Sequence, residues 1–360
     1  MSKKKRVGII TGGGDCPGLN AVIDSAVKCL ENDYEILGFY KGFEGLLNKD
    51  YILLDRVYTN SYRFSGGTIL KSVNSGNFPG KIGLGEKSLI QPEIVAKTIE
   101  NYNELGLEGL IVLGGDGTLT VAQEFYQRGL NIVGVPKSID NDLQGTDFTF
   151  GFLTAVDIAT DALDRLDTTA YSHDRVMILE VMGRNAGWIG LYSGLAGGAN
   201  MILIPEIPFR WESVLEVIEN RYKQGKTSSL IVVSEGAMSQ DGKVYTSTSG
   251  GKSSETLLGG IGDEIARFLN NYPEIDSRCT RLGHVQRGGT PNAIDRILSR
   301  QFGAYAAQLF KNKEYGQMVI YRNNTLESFP IKSSISKLKS VEKDGMMVKL
   351  ARNMGVSFGD

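Results

Sequence analysis

The chain has 360 residues, 41% of them hydrophobic, enough to bury a large core and to divide into two domains. A formal net charge of −2 without a long single-sign run argues against nucleic acid as a partner, and Lys3-Lys4-Lys5-Arg6 reads as a short solvated tail leading into a strand. No apolar stretch approaches bilayer-spanning length, no signal-peptide pattern opens the chain, and Cys16, Cys29 and Cys279 lack C-x-x-C spacing, so a cytoplasmic protein with reduced thiols and no membrane partner is expected.

In chain order, Val7 to Ile10 predicts a buried strand, followed by a glycine-rich turn and a helix from about Leu19 to Leu30. Tyr34 to Tyr40, Gly109 to Leu113 and Asn131 to Val135 are further strand candidates, with helices at about Pro92–Leu105 and Leu119–Arg128. Thr149 to Ala170 carries Phe152, Val156, Ala159, Leu163 and Leu166 at helical spacing and opens a second domain. Short apolar runs at Arg175 to Val181, Met201 to Ile204 and Ser229 to Val233 then alternate with helices near Ala186–Leu195 and Trp211–Tyr222. Met238 to Gly260, rich in Gly, Ser and Thr, reads as a surface excursion. This alternation predicts an α/β fold with mostly parallel sheets covered on both faces, binding ligands at the carboxyl ends of its strands.

Glycine turns gather at those ends. Gly114-Gly115-Asp116-Gly117-Thr118 delivers an apolar strand to a helix N-terminus, where backbone N–H groups and the helix dipole favour a phosphate. Asp116 would repel a bare phosphate, so its presence points to an intervening Mg²⁺ and to phosphoryl transfer. Thr11 to Gly18 is a second such turn; it lacks the Gly-Lys-Ser/Thr ending of a Walker loop, and a tight packing turn explains it equally well. Pro136 to Asp142 places Ser138, Asp140 and Asp142 together, either as an Asx-rich turn or as a general base, Asp140, for a hydroxyl attacking phosphorus. Arg175, Arg184, Glu235, Arg278, His284 and Arg287 near strand ends suit a phosphorylated polyol, with surface ion pairs as the bland alternative; His173 is left open.

Six ordered motifs give the chain a resemblance to the 6-phosphofructokinases over nearly all its length: Gly12 to Asn20, Gly114 to Thr118, Pro136 to Asp142, Glu180 to Arg184, Ala196 to Gly198, and Leu282 to Gly289. The resemblance implies two Rossmann-like three-layer domains with the active site in the cleft between them. A nucleotide- and Mg²⁺-binding domain would span 1–150 plus about 288–340, and a fructose 6-phosphate domain about 151–287 plus 341–360. It implies Asp140 as acceptor of the C1 hydroxyl proton and Asp116 as Mg²⁺ ligand, with Arg184 and Gly117 also in the catalytic set. Gly14, Asn74, Ser75, Gly115, Asp116, Gly117 and Thr118 would hold ATP. Ser138, Ile139, Asp140, Met182, Gly183, Arg184, Glu235, His284, Val285, Gln286 and Arg287 would hold the sugar phosphate. Arg175 and Arg278 match arginines that reach the 6-phosphate from a neighbouring subunit, which implies a homodimer or homotetramer.

Gly117 replaces the acidic side chain that obstructs nucleotides in pyrophosphate-using relatives, whereas Lys137 is typical of those relatives; steric room at Gly117 favours ATP. Asn74 or Ser75 stands where the family carries an arginine against the transferring phosphates, and Lys71, at a position usually glycine, is the expected substitute. Asp24, Lys28 and Asp167 occupy positions where regulated bacterial members bind an effector phosphate with arginines, so weak response to ADP and phosphoenolpyruvate is expected. A pyrophosphate-dependent enzyme and a catalytically silent sugar-phosphate-binding subunit are the alternative readings.

Overall fold

In a computed structural model of the chain, residues 4–73, 76–80, 90–242 and 259–360 are described. They form two compact units, one of residues 1–154 and 287–338, the other of residues 155–286 and 339–360. The strands in chain order are β1 (Lys5–Thr11), β2 (Tyr34–Phe39), β3 (Tyr51–Leu54), β4 (Leu107–Gly114), β5 (Ile132–Pro136), β6 (Val176–Val181), β7 (Met201–Leu203), β8 (Ser229–Ser234), β9 (Ser277–Arg281), β10 (Gln317–Arg322) and β11 (Thr325–Pro330). The helices are α1 (Leu19–Leu30), α2 (Phe43–Asn48), α3 (Arg56–Tyr62), α4 (Pro92–Glu104), α5 (Asp116–Gln127), α6 (Phe152–His173), α7 (Trp188–Ala196), α8 (Trp211–Lys223), α9 (Ile261–Leu269), α10 (Ala293–Lys311), α11 (Ile331–Ser334) and α12 (Met346–Asn353). Among the described residues no helix is long and apolar enough to cross a membrane.

The first unit is built on a seven-stranded sheet of order β11-β10-β5-β4-β1-β2-β3. β2-β1-β4-β5-β10 run parallel, and β3 and β11 close the two edges antiparallel. Continuous apolar sequence follows from this: β4 is buried over seven of its eight residues and β5 throughout, because helices cover both faces. Ile10, Leu110, Val112 and Ile132 point into one core with Phe43 of α2, Val95 of α4 and Phe125 of α5. Phe43 and Phe125 stack there at 5.2 Å. The strand order reverses direction between β1 and β4, which makes their carboxyl ends the switch point where open α/β sheets bind ligands.

The second unit carries a parallel four-stranded sheet of order β7-β8-β6-β9. Val176, Ile178, Ile231 and Val233 pack on one face with Val214 and Ile218 of α8 and Ile261 and Ile265 of α9. Met177 and Leu230 pack on the other face with Ala170 and Leu166 of α6. The C-terminal segment joins this unit, with Ile202 N–H donating to Ser357 O at 2.9 Å and Trp188 Nε1 to Lys339 O at 2.8 Å.

Two residues of the Lys3–Arg6 cluster, expected as a solvated tail, belong to a strand. Lys5 and Arg6 lie in β1 and pair with Glu108 and Glu35, at 3.0 Å and 2.5 Å. The helix expected from Leu119 starts at Asp116, because Gly115 itself serves as the N-cap. Asp116 and Thr118 are therefore first-turn helical residues. Cys16 is buried, Cys29 exposed and Cys279 intermediate, and all three are free thiols.

Candidate active site

Three loops meet at the carboxyl ends of β1, β4 and β5. The first turn is tied to the second by Gly12 N–H donating to Leu113 O at 3.0 Å, and Lys137 N–H bonds to Gly114 O at 2.9 Å. Thr118 fills the space above Gly12 and Gly114, where an added Cβ would come within 2.7 and 2.4 Å of its side chain. Lys137 is 5% exposed, and its Nζ donates to Gly14 O at 2.5 Å. Burial holds its ammonium pKa below the ordinary lysine value, opposed by the nearby Asp116 and Asp142 carboxylates. Arg287 belongs to this first unit and donates to Asp15 O at 3.3 Å. The resemblance groups it with the sugar-binding residues of the other half, whereas its guanidinium borders the first glycine turn.

The Pro136 to Asp142 segment is braced by its own side chains. Ser138 Oγ accepts from Asp140 N–H at 3.1 Å and donates to Asp142 Oδ1 at 2.7 Å. Asn141 adopts φ 53°, and its Oδ1 accepts from Thr149 N–H at 3.0 Å while Thr149 Oγ1 donates to Ser138 O at 2.5 Å. Asp142 is 7% exposed, and burial lifts its carboxyl above the usual range. The segment is an Asx-rich turn that Ser138 and Asp142 build, with half-buried Asp140 riding on it. The Ser138 hydroxyl proton is directed to Asp142, not held out for a substrate phosphate. Ile139 is 1% exposed, so its side chain packs inside and does not face a ligand.

Asp116 is half-buried at the N-terminus of α5. Among the described residues no three His, Cys, Asp or Glu gather into a metal cage. A lone carboxylate suits Mg²⁺, which is held by one or two carboxylates together with substrate phosphates. Beside it, Gly117 is in close backbone contact with Gly80: a Cβ at 117 would lie 2.9 Å from Gly80 O, and one at 80 would lie 1.9 Å from Gly117 O. The bare Cα at 117 therefore has a packing use in addition to the room it would leave a nucleotide. Asn74 and Ser75 lie outside the described residues. Lys71, at φ 57°, adopts the left-handed conformation that glycine favours, and its ammonium sits 5.7 Å above the Tyr40 ring. Ser72 Oγ donates to Gly13 O, anchoring this segment to the first turn.

In the second unit, three segments converge at the carboxyl ends of β8, β6 and β9. Glu235 N–H donates to Val181 O at 2.8 Å, and Gly236 N–H to Gly183 O at 3.1 Å. A Cβ at Gly236 would fall 2.0 Å from Arg184 O, so glycine is what lets the two turns touch. Gln286 is fully buried, and its Oε1 accepts from Met182 N–H at 2.7 Å, which makes it a brace for the Met182-Gly183-Arg184 turn. Arg184 and His284 are exposed at this end, Glu235 is half-buried, and Val285 is 64% exposed. Arg175 and Arg278 stand at the amino ends of β6 and β9, joined through Asp276. Sequence reasoning had not singled out Asp276, although an acid two residues before Arg278 was a usable signal. His173 is exposed at the end of α6.

The Phosphofructokinase family model matches residues 6–310. The chain is similar to ATP-dependent 6-phosphofructokinase 2 of Clostridium perfringens, at 44% identity over the full length of both chains. It is also 46% identical to ATP-dependent 6-phosphofructokinase of Chloroflexus aggregans, over all of this chain and 99% of the relative. Among solved structures, Pichia pastoris phosphofructokinase in the T-state superposes with a TM-score of 0.81 at 29% identity over 93% of this chain, which spans only 36% of that longer chain. A pyrophosphate-dependent phosphofructokinase from Marinobacter aquaeolei shares the fold, with a TM-score of 0.80 at 18% identity over 98% of this chain and 92% of that one. On the match of its family model and of full-length relatives, this chain belongs to the phosphofructokinase family.

Proposed function

We propose that the protein transfers the terminal phosphoryl group of ATP to the C1 hydroxyl of fructose 6-phosphate in the cytoplasm, giving fructose 1,6-bisphosphate for glycolysis. The observation that carries this reading is Asp140, held on a cross-braced turn beside two glycine turns at the strand-order switch point. Asp140 accepts the C1 hydroxyl proton as the oxygen attacks phosphorus. Backbone N–H groups of the turns at Gly14 and at Gly115 to Thr118 receive the donor's phosphates, with the N-terminus of α5 adding its dipole. Asp116 holds Mg²⁺, whose contribution when bound is to offset the charge of those phosphates. Met182, Gly183, Arg184, Glu235 and His284 bind the sugar, and Arg175 and Arg278 serve the 6-phosphate of a neighbouring subunit in a homo-oligomer.

Lys137 favours a second donor, pyrophosphate. Its ammonium is already committed to Gly14 O, however, and the 44–46% identical relatives are named for ATP. Initial rates with fructose 6-phosphate and Mg²⁺, comparing ATP with pyrophosphate, test the reading. Turnover with ATP alone supports it; turnover with pyrophosphate alone transfers the donor assignment to Lys137; no turnover with either leaves a silent sugar-phosphate-binding subunit.

A further inference from the structure

Arg175 and Arg278 bind different oxygens of one carboxylate. Arg175 Nε donates to Asp276 Oδ2 at 2.6 Å, and Arg278 Nη1 donates to Asp276 Oδ1. The sheet register puts them there. β6 and β9 are parallel neighbours with Val176 opposite Ser277 and Met177 opposite Arg278, and Val176 N–H donates to Asp276 O at 3.0 Å. Two guanidinium groups on adjacent strands repel one another, and both stems are long and rich in rotamers. A shared carboxylate removes both difficulties, drawing the cations together and fixing each stem. Arg175 uses only Nε in this bond, and among the described residues its two terminal nitrogens make no hydrogen bond. Arg278 uses Nη1 for both Asp276 and Ser277 O, the latter at 2.9 Å. Donors on both side chains are left in the fork arrangement that grips phosphate oxygens. The Asp276 side chain is 42% exposed, so it is no part of the hydrophobic core.

We propose that Asp276 is a positioning residue for phosphate recognition, holding Arg175 and Arg278 side by side as a two-armed receptor for a phosphate monoester. This rests on the reading of the two arginines as 6-phosphate ligands. The opposing effect is electrostatic, because a carboxylate near the receptor weakens its attraction for a phosphate dianion. Exposure screens that repulsion, whereas scattering of the arginines in its absence is not screened. The sign of the change on removing the carboxylate therefore decides the matter.

The test is steady-state kinetics of the full-length protein with saturating phosphoryl donor and varied fructose 6-phosphate. Asp276→Asn is expected to raise KM for fructose 6-phosphate by about tenfold, the scale of one charge-assisted hydrogen bond, with a smaller fall in kcat and no change in KM for the donor. Asp276→Glu should recover part of the loss. In the background of Arg175→Ala, Asp276→Asn should add less than it does alone. An unchanged or lowered KM, or full additivity with Arg175→Ala, overturns the proposal. So does a lowered thermal midpoint with both Michaelis constants raised, the signature of a merely structural role. If Arg175→Ala and Arg278→Ala themselves leave KM for fructose 6-phosphate unaltered, the ligand reading of the arginines has failed, and Asp276 has nothing to position.

Discussion

Ser138 commits its hydroxyl to the turn, accepting from Asp140 N–H and donating to Asp142. That arrangement separates two carboxylates only two residues apart: Asp142 is buried and bonded within the turn, whereas Asp140, the proposed base, is half-buried. Asp140→Asn keeps the volume and removes the base, so kcat should fall roughly 10²–10⁴-fold with little change in KM for fructose 6-phosphate; a loss under tenfold would reassign the proton acceptor. Lys71 allows a test free of folding artefacts. Its φ of 57° is a glycine conformation, so Lys71→Gly relieves backbone strain. The variant should melt no lower than the parent yet turn over more slowly, with the Michaelis constants less affected; unchanged turnover would show that Lys71 does not stand in for the missing arginine. Asp24 is fully buried, accepting from Lys28 Nζ at 2.7 Å and Thr59 Oγ1 at 3.1 Å. With Lys28 engaged in this way and Asp167 exposed, an effector phosphate has little to bind, and saturating phosphoenolpyruvate or ADP should leave the velocity curve nearly in place.

At the scale of elements, the carboxyl-end turns of β6 and β8 are held by close backbone approach. Gly236→Ala, with its Cβ 2.0 Å from Arg184 O, should cost about 1–3 kcal/mol, read as a lowered thermal midpoint together with a raised KM for fructose 6-phosphate. Glu206 makes a different junction, accepting from Gly187 N–H, just before α7, at 3.0 and 3.1 Å and from Val341 N–H in the C-terminal segment at 2.8 Å. Burial raises its carboxyl above the ordinary value of 4.5 in spite of these donors. The folded state therefore binds more protons than the unfolded chain above that value, and the contribution of Glu206 to stability falls as pH rises through the window. Glu206→Gln keeps one acceptor oxygen and loses the titration, so its midpoint should gain on the parent from pH 4.5 toward neutrality. The buried parallel strands were legible in the sequence because both faces are apolar; β1, β4, β6 and β8 each read as continuous runs. β9 was not, since Ser-Arg-Cys-Thr-Arg carries no apolar run and buries only Ser277 fully. The β10–β11 hairpin was also missed, although Asn323 and Asn324 at φ 50° and 61° form the kind of Asn-rich tight turn that favours positive φ. At the site, residue types pointed to the chemistry, but the bracing of Met182 by Gln286 and of Arg175 by Asp276 joins segments 104 and 101 residues apart, a register that spacing along the chain does not encode.

At the scale of the whole molecule, the second unit presents its two sets of polar residues at opposite ends of one sheet. Arg184, Glu235 and His284 lie at the carboxyl ends of β6, β8 and β9, and Arg175 and Arg278 at the amino ends. β6 runs six residues, so the two ends are separated by roughly 20 Å at 3.3 Å per residue, farther than one hexose phosphate can reach. If both sets bind the same sugar, a second copy of the chain must bring one of them, and the assembly must be closed so that each copy both gives and receives. A mixing experiment follows. Arg175→Ala impairs every site that borrows from the altered chain, and Arg184→Ala impairs every site that the altered chain owns. Each homo-oligomer should be nearly inactive. A hybrid dimer of the two, however, contains one site with Arg184 from one chain and Arg175 from the other, and a second site that lacks both. Random reassortment makes half of the dimers hybrid, so activity should return to roughly a quarter of the parent value. Return of activity on mixing would establish that the sites are shared. Persistent inactivity, with hybrids verified by mass, would mean that Arg175 acts within its own chain, and the sugar phosphate would then have to be placed at only one end of the sheet.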